Sequence, residues 1–479
     1  GIKARELVKR AKKMGIDFIV TDHHQPEPKD LPQDAVAILN PKHSLKELTA
    51  EELKALNIKD IKDHPAYNLP GAGVAYKLAK ALLDKAGIDI KDSFQDSVGF
   101  AAIADIVNME GENRAFARAA LARLGTLRRN KGIGAVIKAL RIENIDEEAL
   151  AFLVAPLFNA AGRFGKAQLG LKLLMARSEK DAAGIVHELL PLLTERREIE
   201  RLIMADVERN LDFDPEKDDG IIAAGEWHAG IIGLVASKLV TKYGVPAVTI
   251  NIPPSSQFSP EKVAYGSMRS IKGVSAVTIL SKANQRYMRE VFEQLCESYG
   301  GYEKMTEFEI KKAKQIIFES NQLFEGFGGH EGAGGFKIKK ENIPDFQRLY
   351  KEVSKSIVKG RRNKVVVAGK LKLEEIKGLS KEEIKIFKRF LAPFGAGFEQ
   401  PKFELKANIL SWQVMGRDQQ HIKGLLEGGI PFVYYFGNQA WVKKILMQKE
   451  ARLVVKVGIE SFQGKEKVQF TVEDIKRAA

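Results

Sequence analysis

The chain has 479 residues, 44% of them hydrophobic and 29% charged, with a net charge of +14 and a pI near 9.4. Its length accommodates several domains with cores of their own. The single cysteine, Cys296, excludes a disulfide framework and a Cys-rich zinc site and suits the cytoplasm. No apolar stretch reaches the roughly 18 residues of a membrane span, and the excess of Lys and Arg favours a polyanionic partner such as nucleic acid.

Residues 1–14, GIKARELVKRAKKM, read as a basic amphipathic helix stopped at Gly15. The chain opens in mid-element, without an initiator Met or a signal peptide, and is expected to be a fragment. DFIVTDHH (17–24) is a strand ending in an acid and two histidines, and AVAILNP (35–41) is a second strand. The charged, helix-forming segment 44–66 reads as a surface insertion. Helices follow at 71–87 and 93–107, and the chain stays mostly helical to NAAGR (159–163). Alternating strands and helices imply an α/β layer with a parallel sheet.

Residues 179–211 form one long helical pattern, read as a connecting helix, in which Pro191 is expected to introduce a kink. GIIAAG (220–225) and AVTINI (247–252) read as strands flanking a helix at 229–244, and KVAYGSMRS (262–270) as a third strand. The stretch 273–325 is long and helical. FEGFGGHEGAGGFKI (324–338) reads as a Gly-rich turn entering a strand, and a helix closes this part at 342–358. Beyond the basic joint KGRRNK (359–364), short alternating strands with one interposed helix, SKEEIKIFKRF, describe a small barrel of the OB type.

Several groups can carry chemistry. Asp22, His23 and His24 occupy the carboxyl end of a strand, where open parallel sheets bind ligands. They are either solvated loop residues or holders of a cation, since carboxylate and neutral imidazole together suit Mn2+, Zn2+ or Fe2+. Asp105 interrupts the apolar segment GFAAIADIVNM and is costly to bury there unless paired or metal-bound. Arg163 ends NAAGR with a planar fork suited to phosphate. Ser267 and Arg269, two apart, project from one face of an extended segment and make an anion clamp. His228 precedes a helix start, a favourable place for anions. Gly328, Gly329, Gly332, Gly334 and Gly335 surround His330 and let backbone N–H groups approach a polyanion.

In this order the motifs DHH, an isolated Asp, NAAGR, EWHxGIIGLVAS, GSxRS and FGGHxxAGG resemble the DHH/DHHA1 phosphoesterase superfamily. Within it they resemble the RecJ family of 5′→3′ exonucleases specific for single-stranded DNA, over essentially the whole chain. The resemblance implies a DHH domain at 1–178, a connecting helix at 179–212, an α/β DHHA1 domain at 213–358 and an OB-fold at 362–479. It implies two divalent ions, Mn2+ or Mg2+, in a cleft between the DHH and DHHA1 domains, with His23 and Asp105 as metal ligands. It places Asp22, His24 and His330 in the catalytic machinery, and Arg163, Ser267, Arg269, His228, Gly328 and Gly329 at the DNA and its 5′-phosphate.

Two departures qualify the resemblance. Gly334 stands where the family has Ala, and the family's remaining metal-ligand Asp residues would fall upstream of Gly1. A fragment lacking them is expected to have little or no activity alone. The resemblance implies single-stranded DNA as substrate, single-strand-binding protein and a helicase as partners, a role in DNA repair and recombination, no membrane and a monomer. Trp412, Tyr434, Tyr435 and Trp441 are candidates to stack on bases. Two alternatives remain: a phosphodiesterase of short oligonucleotides or cyclic dinucleotides, and a non-catalytic nucleic-acid-binding remnant.

Overall fold

The computed structural model describes residues 1–26, 31–44, 46, 48–124, 130–214, 217–254, 263–320, 322–358, 365–378, 380–416, 419–462 and 465–477. The basic joint at 359–364 lies outside the described residues. The chain divides into two compact units. The first comprises Gly1–Leu193, Ala368–Leu405 and Val455–Phe470; the second comprises Thr194–Val367, Lys406–Val454 and Thr471–Ala479. No helix among the described residues is long and apolar enough to cross a membrane.

In the first unit, β1 (Ile19–Thr21) and β2 (Ala37–Leu39) pair in parallel, with Val20 opposite Ile38, as the alternating pattern requires. The opening helix is Arg5–Lys13, with Val8 and Ala11 buried and its charges outward. Among the described residues of 48–66 the helical elements are Ala50–Ala55 and a 3-10 turn at Ile61–Asp63; the charged pattern over-extends the helix because these elements bury no apolar side chain. Helices Gln95–Ala104, Gly111–Leu124, Lys131–Ala139 and Ala155–Arg163 bury Phe100, Ile133, Leu150 and Leu157 in one cluster. Gly99 is what permits this packing: a Cβ there would stand 2.0 Å from the carbonyl oxygen of Phe116. The close approach fixes the end of the helix that carries Asp105.

The long helical pattern is a single helix, Glu179–Asn210, with Pro191 inside it, and the division between units falls within it. In the second unit, β3 (Ile221–Gly225) and β4 (Ala247–Asn251) are parallel across the helix Ile232–Tyr243. The sheet continues antiparallel through β5 (Val263–Arg269), giving the order β3-β4-β5-β7-β6. Its last two strands correct the sequence reading. Residues 324–338 form a hairpin of β6 (Phe324–Gly329) and β7 (Ala333–Lys339), so Gly328 and Gly329 lie in a strand, opposite Gly335 and Gly334. Glycine density disguised β-pairing as a turn. Helices Ala276–Ser298, Glu307–Ser320 and Ile343–Val358 complete the unit, whose core includes Leu280, Phe324, Phe346 and Tyr350.

The C-terminal strands are β8 (Gly369–Leu371), β9 (Phe403–Met415), β10 (His421–Leu426), β11 (Ile430–Tyr434), β12 (Glu450–Phe462) and β13 (Lys465–Arg477). They run β10-β11-β13-β12-β9-β8, and β10 also pairs with β9. β9 to β13 therefore close into a ring, with the helix Ala440–Leu446 between its third and fourth strands. That is the connectivity of an OB-fold barrel, with β8 added in parallel at β9. The interposed helix is Lys381–Leu391, started by a capping box between Ser380 and Glu383.

Candidate functional site

The end of β1 buries one of its three polar residues. Asp22 is 8% exposed, whereas the His23 and His24 side chains are 20% and 59% exposed. Asp22 Oδ1 accepts the N–H groups of His23 (2.6 Å) and His24 (2.8 Å) and lies 2.7 Å from His24 Nδ1. Its Oδ2 accepts the N–H of Ile2 at 2.6 Å. Burial alone would push this carboxyl up, but the bonds from His24, Ile2 and His23 outweigh it and hold the pKa well below the usual carboxylate range. Asp22 is thus compensated by protein donors, and its geometry orients the two histidines.

His23 Nε2 stands 3.4 Å from Asp105 Oδ2. Burial lowers the His23 pKa, with Asp105 pulling the other way, so the imidazole is neutral at pH 7 and able to donate a lone pair. Asp105 is the C-terminal cap of Gln95–Ala104 and its side chain is 51% exposed, not buried as the apolar segment led one to expect. The helix turns its apolar face inward at Ala102 and Ile103 and ends before the acid.

Two residues here escaped the sequence reading. Asn40, fully buried after β2, donates from Nδ2 to the carbonyl of His24 (2.9 Å) and accepts the N–H of Lys42 (2.8 Å). It ties the DHH turn to the next strand. Lys42 is half-buried; desolvation lowers its pKa while Asp105 and then Asp22 raise it. The signal was the Asn-Pro that closes AVAILNP, with Lys42 directly after it.

His23 and Asp105 offer a nitrogen and an oxygen that fit part of a Mn2+ shell. Among the described residues no three His, Cys, Asp or Glu side chains converge on one point.

The second unit assembles a different site. Ser267 and Arg269 share a face of β5, and Arg269 Nη1 donates to Ser267 Oγ (2.9 Å) and to the carbonyl of Met268 (2.8 Å). Both press on the first turn of Ile232–Tyr243: a Cβ at Gly233 would be 3.0 Å from Arg269 Nη2 and from Ser267 Oγ. Guanidinium, hydroxyl and helix start together favour an oxyanion. His228 is exposed in the approach to that helix and accepts the Gly230 N–H at Nδ1 (3.1 Å). Its neighbour Trp227 donates from Nε1 to Asp206 (2.9 Å), anchoring the loop to the long helix.

The hairpin flanks β5, with Ser267 opposite Gly335 and Arg269 opposite Ala333. His330 is exposed at its turn, its N–H bonded to the Ala333 carbonyl (2.7 Å). Gly329 has φ +147, and a Cβ there would meet the Ala333 oxygen at 2.2 Å, so glycine is required. At Gly334 a Cβ would lie 2.9 Å from Leu280 Cδ1, so a methyl there would require the buried Leu280 side chain to shift.

The structure thus brings Ser267 and Arg269 together, with His228, Gly328, Gly329 and His330 in the same unit. Asp22, His23, His24 and Asp105 meet in the other. Arg163, half-buried at the end of Ala155–Arg163, belongs to that first unit. Of the aromatic candidates, Tyr435 and Trp441 are exposed, at 55% and 41%. Trp412 and Tyr434 are half-buried, and burial raises the Tyr434 hydroxyl pKa.

A family model described as the RecJ OB domain matches residues 367–474, which is the barrel. A single-stranded-DNA-specific exonuclease RecJ of Salmonella typhimurium is 27% identical over 505 residues, covering 99% of this chain and 76% of the relative. The chain thus resembles RecJ exonucleases over nearly its whole length. The Bacillus subtilis RecJ is 33% identical over 285 residues, which cover 59% of this chain and 33% of that protein. The crystal structure of RecJ in complex with Mn2+ from Thermus thermophilus shares the fold, with a TM-score of 0.71 at 22% identity, covering 100% of this chain and 61% of that one. The match thus spans a third of the Bacillus RecJ and about three fifths of the Thermus structure.

Proposed function

We propose that this chain is a member of the RecJ family and takes part in metal-dependent hydrolysis of single-stranded DNA from its 5′ end, in DNA repair and recombination. The observation that carries this reading is the meeting of His23, from the end of a parallel strand, with Asp105, from a helix end, 3.4 Å apart. A divalent ion, Mn2+ or Mg2+, held by this pair would supply a Lewis acid and an activated water. Asp22 fixes the His24 ring, Asn40 holds the turn that presents both histidines, and Lys42 offers positive charge to a phosphate beside the two carboxylates.

In the second unit, Ser267, Arg269 and the start of Ile232–Tyr243 receive a terminal phosphate, with His228, Gly328, Gly329 and His330 as further contacts; Arg163, in the first unit, is a separate candidate for a phosphate. The barrel binds the strand through backbone charge and through stacking on Tyr435 and Trp441. The functional division runs 1–178, 179–212, 213–358 and 362–479. Working as a cytoplasmic monomer beside a single-strand-binding protein and a helicase completes the proposal.

Only two donors meet at the metal site among the described residues, so the chain alone is expected to bind strands well and cut them slowly. The same observation favours a second reading, a binding module without catalysis. Incubating the chain with 5′-phosphorylated single strands of graded length and Mn2+ separates the two. Slow shortening from the 5′ end, abolished by chelation and by His23→Ala, supports the first reading, and binding with no shortening supports the second. Cleavage confined to dinucleotides or cyclic dinucleotides refutes both.

A further inference from the structure

The first unit contains a cavity of about 240 Å3 that none of the groups above explains. Its wall is apolar: Ile103, Ile106, Met109, Phe152 and Phe394 contribute to it. Three independent features converge there. Ile106, β-branched, is held at φ +53 and left 66% exposed. Such a backbone is a costly outlier for this residue, and outliers of this kind gather at ligand clamps. Leu150–Val154 is a π-helical turn, a form over-represented at functional sites, and it presents Phe152 with 67% exposure.

The third feature is Glu147. It lies in the cavity wall, only 9% exposed, accepts the Phe394 N–H at 2.9 Å and makes no ion pair among the described residues. Arg114 feels its charge, but that guanidinium sits 3.6 Å over the Phe398 ring and donates to the Leu391 carbonyl.

The charge of the lining decides the ligand. Glu147, Glu148 and Glu399 face the cavity with Lys456 as the one cation of its lining among the described residues, and Glu399 is bonded to Lys402 at 2.9 Å. In a chain of net charge +14 this is acid-rich apolar space, repellent to a DNA phosphate and welcoming to a cation. Its volume falls just below the roughly 300–1,000 Å3 of drug-sized sites, enough for one aromatic ring on a short chain. We propose that the cavity binds a small apolar organic cation of arylalkylamine size, its ring among Ile106, Phe152 and Phe394 and its ammonium on Glu147.

Phenethylamine is the probe. Its binding to the whole chain is followed by calorimetry and by the methyl resonance of Ile106, beside 2-phenylethanol and 3-phenylpropionate as neutral and anionic shapes. The amine is expected to bind and to move the Ile106 methyl, the alcohol to bind about tenfold more weakly, and the carboxylate not to bind, the scale of one charge-assisted contact. Glu147→Gln keeps an acceptor for the Phe394 N–H and is expected to bring the amine down to the level of the alcohol. Ala151→Phe, which fills the cavity and leaves Glu147 in place, is expected to abolish both. Equal binding of all three probes, amine binding indifferent to Glu147→Gln, or no amine binding at millimolar concentration overturns the proposal.

Discussion

Asp22 is the group on which the shape of the DHH turn depends, and removing its carboxylate gives a calculable result. Oδ2 serves the buried Ile2 N–H, and Oδ1 serves His23, His24 and the His24 ring in part-buried surroundings. A buried donor left unsatisfied costs ~1–3 kcal/mol, and each part-buried one, which recovers water, costs about 1 kcal/mol or less. Asp22→Ala should therefore destabilise the strand end by roughly 1–6 kcal/mol, the upper end comparable with the whole stability of a small domain at ~5–15 kcal/mol.

Asp22→Asn keeps an oxygen for the His23 and His24 side but turns an NH2 toward Ile2, and should cost ~2–3 kcal/mol. Hydrogen exchange over 18–26 is the assay, with strong protection in the parent, intermediate in Asn and least in Ala. The pH dependence has a definite sign. The folded pKa is depressed, so the contribution is complete above the unfolded value of about 3.9 and is lost as pH falls from there toward the folded value. Protection in the parent should drop across that acid window, while Asp22→Asn shows no such step. Parent-like protection in Asp22→Ala would refute the reasoning.

Arg269→Ala should remove the preference for 5′-phosphorylated over 5′-hydroxyl strands by ~1.5–3 kcal/mol, read by competition binding, while interior-strand affinity stays constant. Trp227→Phe deletes the bond to Asp206 and should lower stability by ~1.5–3 kcal/mol, read as the denaturant midpoint of the second unit. Gly334→Ala sets a methyl 2.9 Å from Leu280 Cδ1 and should cost ~1–3 kcal/mol; combining it with Leu280→Ala should recover part of that loss in a double-mutant cycle. Replacing Tyr435 and Trp441 by Ala should weaken single-strand binding by ~1–3 kcal/mol per lost stack, with the steep salt dependence of the remaining contacts preserved.

Local pattern made much of this legible. The parallel pair β1 and β2, the crossover at 221–251 and the barrel strands all follow from apolar runs bounded by turn residues, and the same-face placement of Ser267 and Arg269 follows from the period of a strand. What failed depended on partners distant in sequence. Gly328 and Gly329 look like a turn until β7 pairs with them. The exposure of Asp105 depends on its helix packing at Gly99 against Phe116 and Ala120 and ending at Ala104. Asn40 is an unremarkable amide until the His24 carbonyl arrives beside it, and Glu147 is an ordinary acid in a charged run until the loop at 394 covers it.

The helix Glu179–Asn210 has a practical meaning for anyone who would take the protein apart. At ~1.5 Å per residue it is about 48 Å long. Leu189, Leu192 and Leu193 belong to the core of the first unit, while Ile203, Met204 and Val207 belong to that of the second. The frontier between Leu193 and Thr194 thus falls inside a helix. Proteases need extended backbone and will pass it by; a chimaera spliced there inherits two half-helices with raw ends. Exchange of parts between relatives is better tolerated in the non-helical residues that follow, 211–214 and 217–220.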